Sequence, residues 1–370
     1  MLSVVDAFSQ VQDFRVMRTK KHKLIDIITI AICATIAGAE GYNAIADWGK
    51  AKRGWLAKFL DLPNGIPSHD TFRRVFSLLD PEEFQRAFLA WVSSVNMLLD
   101  HRVVAIDGKT LRRSFDPANN KKALHLVSAW ASEANLSLGQ VQVNEKSNEI
   151  TAIPELLKML ELKGAIVTLD AVGCQKNIAQ QIIDKQADYV LALKKNHGDL
   201  FDDVEAFFKL ESSDAFNTIT TLEKDHGRVE RRVISVSKNI DWLEQKSNWK
   251  NLNAIVQIST IRTTVLGEFK SSRYFLTSLT PNLVDKIAHA IRSHWSVENN
   301  LHWTLDVIFN EDQSRVRDRN AAQNLAIMRK MSLSMLKNTH YHKGKSLKRK
   351  RFLASLEDDF LLDLIGVMLS

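Results

Sequence analysis

Cysteine is almost absent. The 370-residue chain carries two, Cys33 and Cys174, far apart and each within an apolar run. Neither has a CxxC partner, so a thiolate zinc site is excluded and no disulfide framework is expected, as suits a reducing cytoplasm. Long apolar runs are also missing. The most apolar stretch, from Ile27 to Ala39, is too short to span a bilayer and reads as a buried helix. The apolar C-terminus, from Phe360 to Leu369, is shorter still and carries Asp363. The chain opens MLSVVDAFSQ, with no basic n-region, so no secretory signal is expected. Internal repeats and low-complexity tracts are absent. What remains is an ordinary globular composition, 45% hydrophobic and 25% charged, in a chain longer than one typical domain. The formal charge is +7 and the pI about 9.2. That balance suits a polyanionic partner, although many basic proteins bind none.

Residues 1–100 read as an all-α domain. Leu24, Ile27, Ile28, Ile32 and Ile36 fall on helical spacing, and Gly38 and Gly41 offer a stop. Tyr42 to Phe59 reads as a second helical region. After the turn Leu62-Pro63-Asn64-Gly65-Ile66-Pro67, Ser68 or Asp70 can cap a helix with Phe72, Val75, Phe76 and Leu79 on one face. Arg73 and Arg74 fall off that face. They read either as a solvated surface or as part of a DNA-reading helix. Pro81 to Leu99 gives a further helix.

The texture changes at His101. Val103 to Leu111, Leu124 to Trp130 and Leu136 to Val143 read as strands, followed by a helix over Ile150 to Leu162. A strand over Ala165 to Asp170, a helix over Gln175 to Gln186 and a strand over Tyr189 to Leu193 complete a mixed α/β sheet. Residues 217–280 are β-rich with no helix of useful length, which reads as an insertion. Pro281 then introduces a long helix, roughly Leu283 to Ile308, and Asn320 to Leu336 gives another. Lys343 to Arg351 holds six basic residues in nine, either a solvated linker or a phosphate-contacting segment.

Two strands end in aspartate. Asp107 closes Val103-Val104-Ala105-Ile106, and Asp170 closes Ala165-Ile166-Val167-Thr168-Leu169. Side chains at the carboxyl ends of neighbouring strands can meet in one cleft. Glu298, on the long helix, supplies a third acid. Carboxylates from separate elements that converge on one cleft suit one or two Mg²⁺ or Mn²⁺ ions, and two such ions serve phosphoryl transfer. Either aspartate singly also reads as a cap or turn residue. His294, Glu298 and His302 share one helix stripe, which suggests a metal site or a polar stripe at a buried interface packed by Trp295 and Trp303.

The segments AIDGKTLR around Asp107, TLDAVGCQKNIA around Asp170 and HWSVENNLHWTLDVIFNEDQSRVR around Glu298 resemble bacterial insertion-sequence transposases. The closest likeness is to the H-repeat-associated, ISAs-type group of the DDE superfamily. GIPSHDTFRRVF, DPEEF, KKNH and DHGRVERR extend the resemblance over nearly the whole chain. It implies an RNase H-like catalytic domain over 101–340 with a β insertion at about 217–280. It also implies a helical transposase-associated domain over 1–100, and a basic segment with a C-terminal helix over 341–370. The implied chemistry is metal-dependent hydrolysis of phosphodiesters at element ends, then strand transfer into target DNA. Asp107, Asp170 and Glu298 would bind two Mg²⁺ or Mn²⁺ ions. The implied setting is a homodimer pairing double-stranded DNA ends, cytoplasmic and nucleoid-associated, with no membrane. Lys109, Arg112, Lys194, Lys195, Arg228 and Arg232 are the expected DNA contacts, and Asn196 and His226 are candidates to orient ligands or phosphates.

One departure stands out. Many relatives carry Tyr, Arg and Lys at seven before, four before and seven after the glutamate; here Ile291, His294 and Leu305 hold those positions. His294 is the candidate replacement for the arginine, and nothing replaces the lysine. Two other classes stay open: an inactive DNA-binding relic of a transposase, and an RNase H-like nuclease that cuts without joining.

Overall fold

A computed structural model describes residues 2–16, 20–95, 102–119, 121–144, 148–225, 228–264 and 267–368. Six helices come first: α1 (Val4–Phe8), α2 (Leu24–Ile36), α3 (Tyr42–Ala51), α4 (Arg53–Leu56), α5 (His69–Leu78) and α6 (Pro81–Ser94). Their starts follow local chemistry. Ser68 Oγ accepts from Thr71 N to cap α5, and Asp80 accepts from Glu82 N to cap α6, which has Pro81 at its first position. The buried faces meet through aromatic rings, Phe8 against Phe84 at 4.8 Å and Phe84 against Phe76 at 6.0 Å between centroids.

The centre is a nine-stranded sheet. Its strands are β1 (Val103–Leu111), β2 (Leu124–Ala131), β3 (Leu136–Gln142), β4 (Ile166–Leu169), β5 (Asp188–Leu193), β6 (Phe216–Asp225), β7 (Arg228–Ser237), β8 (Ala254–Thr264) and β9 (Gly267–Thr277). They lie in the order β3-β2-β1-β4-β5-β9-β8-β7-β6. β1, β4 and β5 are parallel, which requires crossovers; α7 (Glu149–Met159) precedes β4, and α8 (Lys176–Asp184) joins β4 to β5. The β-rich segment does not form a separate body. Its last strand, β9, pairs antiparallel with β5, so the insertion continues the central sheet. Its strands also run longer than the sequence pattern suggests, because their outer halves carry polar residues that solvent tolerates.

Two cores sandwich the sheet. On one face Val103, Ile166, Val190, Ile234 and Ile258 pack under α10 (Val284–Val297) through Ile287, Ala290 and Ile291. The opposite face, with Val104, Ile106, Val167 and Leu169, packs into the helical layer. α12 (Arg319–Asn338) joins both ends of the chain: it packs on α2, α5 and α6, and its Ala322 and Ala326 meet Leu124 and Leu126 of β2. A helix absent from the sequence reading, α9 (Gly198–Leu210), follows β5.

The basic run at 343–351 is not a linker. It enters α13 (Leu347–Leu356), which precedes α14 (Asp358–Ile365). Lys350 and Arg351 are buried. Lys350 Nζ donates to Leu336 O near the end of α12, 2.9 Å away. Arg351 donates to Thr35 O of α2 at 3.0 Å and to Ile308 O, and stacks over Phe309. Cations here satisfy the orphan carbonyls of helix C-termini. Among the described residues no helix is long and apolar enough to cross a membrane.

Candidate active site

Strand alternation decides where the acids point. Val103, Ala105, Asp107 and Lys109 share one face of β1, and Ile166, Thr168 and Asp170 share the same face of β4 and its end. The β1–β4 register ends at Ile106 opposite Leu169, so Asp107 and Asp170 follow side by side. α10 crosses this face and brings Glu298 over it. All three acids line one cavity of about 270 Å³, together with Thr168, Lys194, Arg273, His294 and Trp295.

Each aspartate is held by one edge. Asp107 Oδ1 accepts from Gly108 N at 2.9 Å, while Oδ2 faces His302 Nδ1 at 3.5 Å. Asp170 Oδ1 accepts from Val172 N and Gly173 N at 3.0 and 3.2 Å, so the turn role and the cavity role coexist in one residue. Glu298 is exposed and, among the described residues, has no hydrogen-bond or ion-pair partner. It ends α10 and begins a π-turn over Glu298–Trp303 before α11 (Thr304–Ile308). The wider turn sets Glu298 toward the cavity and His302 toward Asp107; π-turns of this kind concentrate at functional sites.

The cluster is electrostatically strained. Burial pushes Asp107 up to about 7, and the charges of Asp170, Glu149 and Glu298 push the same way. The donors are all hard carboxylate oxygens, which fits Mg²⁺ or Mn²⁺ and not a thiophilic ion. Among the described residues no three such side chains close on one point as a finished cage.

The flanking chain is braced. Gly108 leaves room for a side-chain pair: a Cβ there would meet the Glu149 carboxylate and the His125 ring and displace them. Glu149 and His125 pair at 2.6 Å, and His125 Nδ1 reaches Thr110 Oγ1 at 2.8 Å. The KKNH segment holds the loop after Asp170. Asn196 donates to Ala171 O at 2.9 Å, and His197 Nε2 lies 2.6 Å from Cys174 O.

A match to the family model for the transposase DDE domain covers residues 98–335, and one for the DDE_Tnp_1-associated domain covers residues 5–92. This chain belongs to the DDE transposase family. It is 41% identical to "Putative transposase YncI" of Escherichia coli O157:H7, over 98% of this chain and 94% of that one. It is 38% identical to "H repeat-associated putative transposase YhhI" of Escherichia coli strain K12, over 98% and 97%. The protein is thus a DNA transposase, and the activity is enzymatic.

The cations expected on DNA divide into two groups in this transposase. Lys194 and Lys195 are exposed beside the cavity, and Arg112 is exposed with one contact to Asp312 at 3.2 Å. Lys109 differs. It has 11% of its side chain exposed and is clasped by Asp306 and, at 2.8 Å, by Glu311. Arg232 is likewise taken up by Glu223 and Glu230 at 2.9 and 2.8 Å. His294 faces Thr168 Oγ1 at 3.0 Å, and burial pulls its pKa below the ordinary value, so it is a neutral brace. The Arg228 side chain and His226 lie outside the described residues.

Sequence reasoning missed Glu149, His125, Thr168 and Arg273. Glu149 follows Asn148, a helix-capping residue, and so reads as ordinary first-turn acid. Arg273 sits mid-strand with no motif around it. Trp303, expected as packing, is 56% exposed, whereas Trp295 carries a cation on its face.

Proposed function

We propose that Asp107, Asp170 and Glu298 form the metal-binding catalytic triad of an RNase H-like core that hydrolyses the phosphodiester at an element end and transfers the freed 3′-OH to target DNA. The observation that carries this reading is the convergence of the three acids on one cavity from β1, the end of β4 and the end of α10. A parallel β1-β4-β5 centre flanked by an antiparallel meander supports the RNase H-like reading.

The family generally uses divalent metal ions, and the oxygen-only donor set suits Mg²⁺ or Mn²⁺, two per site. Asp107, Asp170 and Glu298 would hold such ions, whose chemistry would be to activate water or a 3′-OH and to offset charge on the leaving oxygen. The chain's own residues do the rest. Gly108 N and the Val172 and Gly173 amides fix one oxygen of each aspartate. His302 lies behind Asp107 as a neutral ring, its pKa drawn down to about 3 by burial and by Lys109 and Lys330. Lys194, Lys195 and Arg112 contact the DNA backbone; Lys109, Arg232 and His294 hold the scaffold. Two element ends call for a homodimer, acting on double-stranded DNA in the cytoplasm and at the nucleoid.

The test is Asp170→Asn in a Mg²⁺-dependent cleavage assay on duplexes carrying the inverted repeats that flank the gene. Cleavage by the wild type and none by the variant is expected. Equal cleavage by both removes the mechanism.

A further inference from the structure

The triad cavity holds a cation that the family motif does not supply. Arg273 arrives from β9, inside the β insertion, and lines the cavity with Asp107, Asp170 and Glu298. Its guanidinium lies 3.7 Å from the ring centroid of Trp295, three residues before Glu298. Stacking fixes the plane of the guanidinium and leaves its N–H edges free.

The neighbours of Arg273 sharpen the point. Arg232 is saturated by Glu223 and Glu230, Arg292 pairs with Glu223, and Arg262 lies 3.6 Å from Glu230. Arg273 has no ion pair and no side-chain hydrogen bond among the described residues, although it is half-buried. Glu230 attracts it from a distance but is already held by Arg232. A half-buried guanidinium without a carboxylate is costly unless a partner arrives. The cavity it faces is the one expected to receive a phosphodiester. Meanwhile the helix position expected to carry arginine holds His294, which is turned to Thr168.

We propose that Arg273 is a catalytic residue that donates paired N–H bonds to the non-bridging oxygens of the scissile phosphate, with Trp295 as its positioning platform. The role rests on the transposase reading above. As the attacking oxygen adds to phosphorus and the leaving oxygen departs, negative charge on the non-bridging oxygens is met by a cation already in place. The β insertion thereby supplies the charge that relatives place on the glutamate helix.

The experiment compares wild type, Arg273→Ala, Arg273→Lys and Arg262→Ala, using Mg²⁺ and a duplex with the terminal inverted repeat. Cleavage rate, end binding at fixed salt and melting temperature are measured. Arg273→Ala is expected to cut about 100-fold more slowly, with binding weakened no more than about tenfold and the fold intact. Added guanidinium should restore part of its rate. Arg273→Lys should fall between, since an ammonium keeps the charge and loses the fork and the stack. Arg262, exposed on the same sheet face outside the cavity, should be dispensable. Undiminished cleavage by Arg273→Ala overturns the proposal, as does a slow variant that neither guanidinium nor lysine improves. A wild type that cuts no duplex sinks the underlying reading and this proposal with it. Wild-type cleavage unchanged in Arg273→Ala sinks the proposal alone.

Discussion

Two charged clusters hang from the same face of β1, two residues apart, and they are opposites. Around Lys109, opposite charges meet. Glu311 is buried, and burial would push it up, but Lys109, Arg329 and Lys330 outweigh that and hold it below the ordinary carboxylate range. Lys330 in turn donates to Ser128 Oγ at 2.6 Å and Gln140 Oε1 at 2.5 Å. Around Asp107, like charges crowd, and no ammonium or guanidinium pairs with the three acids among the described residues. The compensated cluster ties α11 and α12 to the sheet. The uncompensated one, under the proposed reading, is where an outside cation would bind.

Mirror-image variants break or sharpen this contrast. The largest effect belongs to Asp107→Asn. It should abolish metal-dependent cleavage, a loss of roughly 1,000-fold or more. Its melting temperature without metal should stay level or rise, because one of the crowded charges is gone; a clear drop in the thermal melt would erase the contrast. Glu311→Gln should do the reverse. It leaves Lys109, Arg329 and Lys330 without their shared anion, at a cost of about 3–5 kcal/mol in denaturant titration. The same group gives a sign for acid: its stabilisation is present above the unfolded carboxylate pKa and is lost as pH falls through its lowered folded value.

Arg351→Ala tests whether a charge outside both clusters acts as architecture. It removes donors to the carbonyls of Thr35 and Ile308, and should cost about 2 kcal/mol. DNA affinity measured on the folded variant should hold; a loss of affinity without a loss of stability would return α13 to the phosphate-binding reading. The smallest effect concerns Asp26, buried near the start of α2 and pushed up to about 6 by burial. Its folded pKa lies above the unfolded one, so stability falls as pH rises from about 4 to about 6 and is level above. Asp26→Asn should flatten that slope and gain of order 1 kcal/mol at pH 8, read from chemical melts at two pH values.

The convergence of Asp107, Asp170 and Glu298 on one cavity was legible because they sit in strong local patterns: four apolar residues before Asp107, a five-residue strand run before Asp170, and a long helical period around Glu298. The mixed sheet was implied by strands alternating with helices, and Ser68 announced its helix. The π-turn at Glu298 was not legible, since its residues keep a helical pattern. Nor could Lys109 or Arg351 be told from DNA-facing cations: a lysine beside a catalytic motif and an arginine in a basic run look alike on paper, whether they meet a phosphate, Glu311 or Thr35 O.

The order of amino acids, alone, determined the elements and the chemistry at their ends, because side-chain period and capping are short-range and written in neighbouring residues. Tertiary structure alone decided which charges meet. The partners of Lys109, Glu311, Arg273 and Arg351 come from elements far along the chain, and a charge's role depends on what is buried beside it, which no local spacing encodes.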